Sequence, residues 1–233
     1  MAISANALTA GVSAATLSAY ATAAVTPTAN RLIIAVLEVG KNNTGSTSSI
    51  GVTGNGLTWT TVANIGIDGA TSASYNAQLS IFRAVGAAPT NTAISFSTGF
   101  LCVSAAWSVF EIDGADITGS NGDTAIVQIV SNKADLASAV TVTTAAFTSP
   151  HNGTVFATGA SQIGTTPAAF TIDAGYTSIH ATGTTHSAVA TGWRIDNDTS
   201  VTTTANETTN IGGVVIEIKV KPGGMAALLG AGG

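Results

Sequence analysis

The sequence predicts an all-β protein, folded as an antiparallel sandwich or barrel, and two observations lead to this. Thr, Ser and Val, which favour strands, are set among Gly, Asn and Asp-Gly pairs, which mark turns. Apolar stretches also recur at intervals of roughly 8–15 residues, with turn residues between them. A length of 233 residues suits one such domain, because β-sandwiches and barrels commonly reach about 200–250 residues.

The expected strands follow from these apolar stretches. The first, at 31–39, is apolar almost throughout and is expected at the centre of a sheet. Residues 7–24 add one or two strands, and a short helix is conceivable near 133–138. The full set of further strands is 57–65, 77–85, 93–97, 103–112, 125–130, 139–144, 153–159, 188–195 and 213–220.

The chain is expected to form one domain over residues 1–221, without an internal repeat or a linker. Within the last strand, Ile216 and Ile218 alternate with Glu217 and Lys219, which predicts one apolar face and one solvated face. Pro222 ends this strand. An apolar, glycine-rich tail at 222–233 follows and is expected to be flexible.

The charge content is unusually low and excludes several classes of function. Only 8% of the residues are charged, against about 25% in typical soluble domains. With seven Lys and Arg and a net charge of −5, neither nucleic-acid binding nor a basic membrane-binding surface is expected. No apolar run reaches the roughly 20 residues of a membrane-spanning helix, and the start of the chain lacks the features of a secretory signal. Low charge and many strands favour a protein that packs and assembles.

The single cysteine is predicted to be a packing residue. Cys102 lies in an apolar run with Phe100, Leu101 and Val103, and no disulfide within the chain is possible. A reactive thiol would need a cationic neighbour, and none is close in sequence.

Candidates for catalysis are few. Glu111 and Asp113 alternate on a strand, as the paired carboxylates of a retaining glycosidase do, with Asp116 close behind. Asp113 precedes a glycine, however, so carboxylates that cap a turn are the preferred interpretation. The three histidines, His151, His180 and His186, lack the spacing of a metal site. No catalytic residue and no cofactor is therefore predicted.

Calcium is a weaker possibility that the sequence leaves open. Several loops are rich in the oxygen ligands that this cation prefers, although none matches a complete calcium-binding loop. The same residue types also form turns without a metal. The candidate ligands are Asp113, Asp116, Asp123, Asp196 and Asp198.

Three tryptophans, Trp59, Trp107 and Trp193, lie within predicted strands. Core packing is the favoured interpretation of all three. If two of them shared an exposed face, they would form a platform on which sugar rings stack.

Four phrases in the first half of the chain carry a resemblance. They are TPTANRL at 26–32, GNGLTW at 54–59, IFRA at 81–84, and AAWSVFE at 105–111 running into Asp113-Gly. Over residues 5–130 the chain resembles a group of uncharacterised proteins encoded by tailed bacteriophages and environmental viral genomes. The resemblance implies a jelly-roll-like sandwich and a place in the virion after synthesis in the host cytoplasm. It assigns no catalytic residue.

The expected function is therefore structural. Among virion roles, we favour a non-enzymatic capsid decoration or auxiliary (cement) protein that forms a homo-oligomer and binds the major capsid protein. Residues 1–25 form a possible intersubunit arm, and Met225, Leu228 and Leu229 are expected to dock on a neighbouring subunit, so that deletion of the tail abolishes capsid attachment. The alternative is a carbohydrate-binding adhesin, or a tail or head appendage, that contacts host or environmental glycans.

Overall fold

The computed structural model describes residues 3–41, 47–67, 76–161, 169–195 and 198–222, which form two antiparallel sheets and one short 3₁₀ segment, Ser120–Ala125. The all-β sandwich is confirmed. The first sheet contains β1 (Ser4–Ser13), β2 (Leu17–Ala21), β3 (Leu32–Lys41), β4 (Gly51–Gly54), β5 (Thr60–Ile67), β6 (Asn76–Ala84) and β7 (Ile94–Asp113). The second contains β8 (Ile126–Thr143), β9 (Gly153–Ser161), β10 (Phe170–Ile172), β11 (Thr177–Gly183), β12 (Ala188–Arg194) and β13 (Ser200–Ile218).

One long strand organises each sheet. The C-terminal half of β7 lies between β1 and β3 in the order β1-β7-β3-β6-β5, while its N-terminal half pairs with β2 and β4. Strand β13 does the same in the second sheet. It pairs with β8 along both halves, with β9 along its C-terminal half and with β10 along its N-terminal half. In both sheets the shorter strands on the N-terminal half form a wing.

The two sheets are repeats of one topology. Strands β9, β10, β11, β12 and β13 take the places of β3, β4, β5, β6 and β7, and the single strand β8 replaces β1 and β2 together. Within each repeat, antiparallel strands joined in this crossed order resemble a jelly roll. The expectation that the chain contains no internal repeat is therefore wrong. The repeat escapes detection in the sequence because it is preserved in strand pairing and not in residue identity.

Local irregularities recur at equivalent places and support this correspondence. The β5–β6 pairing shifts between Thr61 and Ala63, and the β11–β12 pairing shifts between Ser178 and His180.

A four-residue turn also leads into each of β5 and β11. The backbone N–H of Leu57 donates to Gly54 and that of Tyr176 donates to Asp173. Each turn needs the left-handed conformation that glycine supplies, with φ of 65° at Gly56 and 93° at Gly175.

The main core lies between the two repeats. Leu32, Ile34 and Val36 of β3 pack with Val155 and Ala157 of β9 in one cluster of buried side chains. Every residue of β3 is buried, as expected for a central strand, because its other face is covered as well.

Each repeat also closes a smaller core beneath its own wing. In the first repeat Ile33 and Leu37 pack with Phe96 of the wing half of β7. In the second, Phe156 and Val215 pack with Val201 of the wing half of β13. The molecule therefore has two wings outside two facing sheets.

Several expected elements differ from the observed ones. Residues 133–138 belong to β8, so the short helix is wrong there; pairing with β13 overrides the local preference. The expected strands 93–97 and 103–112 are one strand, β7, and 125–130 and 139–144 are likewise both parts of β8. Three strands were not predicted from the sequence, β4, β10 and β11, because they are short or rich in small polar residues.

A buried glutamate fastens each repeat at the end of its long strand. Glu111 accepts hydrogen bonds from the backbone N–H (2.7 Å) and Oγ1 (2.8 Å) of Thr28. Glu217 accepts the same two bonds from Thr148, both at 3.1 Å. Glu217 is fully buried, so the prediction of a solvated face on the last strand is wrong at this position.

A third residue completes each arrangement. The Arg31 guanidinium donates to Glu111 at 2.7 Å, and the Asn152 side-chain amide donates to Glu217 at 2.6 Å. We call these two arrangements the glutamate clamps. They hold the connections that precede β3 and β9 against the ends of β7 and β13.

The two clamps predict matched losses of stability. We expect Thr28→Val and Thr148→Val each to lower the free energy of unfolding by about 1–3 kcal/mol, because each removes one hydroxyl bond to a buried carboxylate. Denaturant unfolding measures this. The exposed Thr204→Val is the control and is expected to change stability by less than about 0.5 kcal/mol. A loss in only one of the two clamp variants would contradict their equivalence.

Candidate functional site

The carboxylates considered for catalysis are parts of the scaffold. Glu111 is 4% exposed and is held by Thr28 and Arg31, as described. Asp113 accepts the backbone N–H of Gly114 at 2.9 Å and lies 3.5 Å from Arg31. The preferred interpretation, a carboxylate that caps a turn, is confirmed for Asp113, while Glu111 holds a clamp instead.

The candidate calcium ligands do not converge. Asp116 binds Lys219 at 2.9 Å and accepts the Thr118 hydroxyl at 2.7 Å; these bonds, the hydroxyl first, lower the pKa of Asp116. Asp198 binds Arg194 at 2.7 Å, and Asp123 is exposed.

Asp113 is held at its turn, and Asp196 lies outside the described residues, as do Met225, Leu228 and Leu229. Among the described residues, no three acidic, histidine or cysteine side chains come together as a metal would require.

The three tryptophans do not share an exposed face. Trp107 is 7% exposed and lies in the core beneath the first wing, and Trp59 packs against the same core with its indole N–H donated to Gly54. Trp193 packs against the separate core between the repeats. The stacking platform considered in the sequence analysis is not formed by these side chains.

Cys102 is fully buried, so the prediction of a packing thiol is confirmed. Burial raises the pKa of Cys102 to about 11, which keeps the thiol protonated at neutral pH. The neighbouring Tyr20 donates its hydroxyl to the Cys102 carbonyl at 2.9 Å, and burial raises the pKa of Tyr20 to about 12.

A row of polar side chains that the sequence did not predict lies between the two repeats, and we call it the polar seam. Ser104 of β7 is hydrogen-bonded to Ser187, which precedes β12, at 2.6 Å. Four residues further along β7, Ser108 is hydrogen-bonded to Thr191 of β12 at 2.8 Å. All four hydroxyl-bearing residues are fully buried. They join the two repeats through side-chain hydrogen bonds.

Glu38 lies beside the polar seam, because it pairs with Ala106, between Ser104 and Ser108 of β7. It is fully buried, and neither carboxyl oxygen makes a hydrogen bond within the described residues. Burial raises the pKa of Glu38 well above its ordinary value of 4.5, and the nearby Ser187 hydroxyl and Ala188 backbone offset this only in part.

A glycine across the interface makes room for this side chain. A Cβ at Gly159 would lie 2.8 Å from Cγ of Glu38, closer than side chains normally approach.

His180 lies at the edge of the same polar seam. Its Nδ1 is 2.8 Å from the Ser108 hydroxyl, which also contacts Thr191. Burial lowers the pKa of His180, so the neutral ring is favoured. A serine–histidine contact is therefore present, and its serine is fully buried.

The surface that differs most from an ordinary protein surface is the N-terminal one. No charged side chain occurs before Arg31, and residues 14–19 are all exposed. They include Leu17 (44% exposed) at the start of β2, opposite Cys102 of β7, and Leu101 (65% exposed) is next to that cysteine. We call this region, residues 14–19 with Leu101, the apolar corner.

Both strands of this N-terminal surface are edges. Among the described residues, β1 and β2 each pair with β7 alone, so one side of each strand has no strand partner. Natural sheets usually protect such edges with charged side chains, which are missing here. Exposed apolar side chains on an uncharged edge indicate a site of protein–protein contact.

One groove lies between the edges of the two repeats. It has a volume of about 320 Å³ and is lined by Ile65 and Gly66 of β5 with Ser131, Asn132 and Lys133 of β8. The lining carries hydrogen-bonding groups but no aromatic ring.

Comparisons with known proteins add no relative. Neither the scan of protein-family models nor the searches of curated proteins and solved structures found a match to this chain. The resemblance to phage proteins over residues 5–130 therefore stays a prediction. Within the described part of the chain, none of the helical structure is of the length and apolarity needed to cross a bilayer.

The buried carboxyl of Glu38 predicts a pH-dependent gain on substitution. The folded-state pKa is raised, so the stability that the protonated form provides is present below pH 4.5 and is lost as the pH rises through the folded-state pKa. Glu38→Gln mimics the protonated form at every pH. We expect it to raise the free energy of unfolding by about 1 kcal/mol or more at pH 8 and to change little at pH 4.

Glu111→Gln is the matched control, because Glu111 is also a buried glutamate of the first sheet. Its carboxylate binds Arg31, so this variant is expected to lower stability at pH 8 by about 1–3 kcal/mol. Denaturant unfolding at the two pH values separates the variants. A loss of stability in Glu38→Gln at pH 8 would contradict the assignment.

His180 predicts the opposite trend. Its folded-state pKa is lowered, so the unfolded chain binds the proton more readily, and stability falls as the pH drops through 6.5 toward the lowered value. His180→Asn keeps a hydrogen-bonding group near Ser108 and removes the titration. We expect the difference between variant and wild type to grow in favour of the variant between pH 7 and pH 5. A difference that stays constant between pH 7 and pH 5 would contradict this prediction.

Proposed function

We propose that this chain is a non-enzymatic structural protein of a tailed bacteriophage virion, and that it decorates the capsid as a homo-oligomer. The observation that carries the proposal is the uncharged N-terminal surface with its two edge strands and the exposed Leu17 and Leu101. Surfaces of this kind are stable in water when another protein covers them. The resemblance of residues 5–130 to phage proteins supports the viral setting.

The interactions of the ionisable groups support a structural role. Glu111 and Glu217 hold the two clamps, Asp116 binds Lys219, and Asp198 binds Arg194. Each of these groups is used to fix a loop or strand end. A rigid body with an uncharged edge suits a protein that reinforces a shell by burying surface between neighbours.

Capsid binding tests the proposal directly. Purified protein is mixed with capsids that lack it, pelleted, and imaged by cryo-electron microscopy. We expect regular occupancy of lattice positions with the N-terminal surface in contact with a neighbour. Absence of binding to capsids and virions would overturn the proposal.

Two substitutions that each add a negative charge test the role of the N-terminal surface in this binding. Ala10→Asp in β1 and Ala19→Asp in β2 place a carboxylate on exposed positions of the N-terminal surface. Burial of an unpaired charge is costly, so we expect capsid occupancy to fall about tenfold or more. Thr204→Asp adds the same charge to an exposed position of the second repeat and should leave occupancy unchanged. Equal effects from all three variants would remove the N-terminal surface from the proposal.

A glycan-binding adhesin is the second candidate, and the groove between β5 and β8 favours it. The amide of Asn132 and the ammonium group of Lys133 offer hydrogen bonds to sugar hydroxyls. A glycan array tests this, with Asn132→Ala and Lys133→Ala as groove variants. Binding to glycans without binding to capsids would favour the adhesin.

A further inference from the structure

We infer that the apolar tail of one copy binds the apolar corner of a neighbouring copy, so that copies join head to tail. The inference rests on the proposed function, because it names the partner of the N-terminal surface. Two features carry it: the exposed corner at one end of the sandwich, and the place where the tail leaves the fold at the other end.

The starting point of the tail is fixed. The backbone N–H of Lys221 donates to Gly114 at 2.7 Å, and Val220 forms a bridge with Ala115. These bonds hold the last described residues beside the C-terminal end of β7. The tail therefore leaves from the end of the first sheet at which β7 finishes.

The apolar corner lies at the opposite end of the C-terminal half of β7. It is built around Cys102, and β7 runs as an extended strand from there to Asp113. At about 3.3 Å per residue, this separates the corner from the start of the tail by about 36 Å. The corner and the tail of one copy are therefore at opposite ends of the sheet.

The length of the tail determines whether it can contact the apolar corner of its own copy or only that of a neighbouring copy. Its large apolar residues are Met225, Leu228 and Leu229, and Leu229 lies seven positions after Pro222. Fully extended, that stretch spans about 25 Å, which is too short for the corner of the same copy. The corner of a second copy, placed end to end with the first, lies within reach.

The two surfaces match in chemistry. Neither the tail nor residues 1–30 carry a charged side chain, although the whole chain has a net charge of −5. Contact between them buries Leu17 and Leu101 against Leu228 and Leu229 without removing an ion from water. Because two different patches meet, the contact is heterologous and generates a ring or an open chain of copies.

The experiment is a measurement of molar mass against concentration by sedimentation velocity. We expect the full chain to associate, the chain cut after Pro222 to remain a monomer, and Leu17→Asn with Leu101→Asn to remain a monomer too. Ile129→Asn is the matched control, since Ile129 is a similarly exposed apolar residue of β8 (42%), and it should associate as the full chain does.

Mixing the two defective proteins gives the sharpest result. The shortened chain keeps the corner and the double variant keeps the tail, so together they should form a one-to-one complex and nothing larger. Association of the shortened chain, or failure of the two proteins to pair, would overturn the inference. Capsid pelleting of the same samples separates the two proposals, because association of the full chain without binding to capsids contradicts decoration and leaves head-to-tail joining in place.

Discussion

Packing of the two repeats against each other is the interaction on which the structure depends. The first sheet is apolar on both faces: its wing covers one face, and the second repeat covers the other. Without the second repeat, the row of side chains that includes Leu32, Ile34 and Val36 would face water. The same holds in reverse for Val155 and Ala157 of β9. Each repeat thus covers an apolar face of the other. The edges of the sheets remain as surfaces to which another molecule can bind.

The interface between the repeats combines polar contacts with apolar ones, and the polar contacts fix the register in which the two sheets pack. The β3–β7 pairing of the first repeat can be compared with the β9–β13 pairing of the second. In this comparison Glu38 is equivalent to Gly159, and Ser108 is equivalent to Val214. The second repeat therefore has an apolar residue, Val214, where the first repeat has Ser108 of the polar seam. Buried hydroxyl pairs lose their hydrogen bonds if the sheets slide, whereas purely apolar faces tolerate sliding. The glycine opposite Glu38 fits this arrangement, because only a residue without a side chain leaves space for the buried carboxyl.

Much of the architecture could be predicted from the sequence, and the failures have physical causes. The apolar run of β3 indicated a central strand, because a strand that is buried on both faces has a nearly continuous apolar sequence. The helix expected at 133–138 failed because β13 supplies a pairing partner that short local sequence cannot reveal. The repeat stayed hidden because pairing order constrains which strands meet and places few demands on residue identity.

The site was harder to predict than the fold. Glu217 looked like a solvated residue because it alternates with Ile216 and Ile218, yet Thr148 and Asn152 come from a distant connection to bury it. The polar seam gave no signal, since serines and threonines are common throughout this chain. The uncharged stretch before Arg31 was visible from composition alone, but its placement on two edge strands needed the topology.

The central claim is that the two repeats share one core and unfold as one unit. Native-state amide hydrogen exchange measures this most directly, by comparing β3 in the first repeat with β9 in the second. The account predicts that both strands exchange only through global unfolding, with the same free energy. Exchange of one strand at a free energy lower by about 2 kcal/mol or more would show that one repeat opens while the other stays folded, and would contradict the shared core.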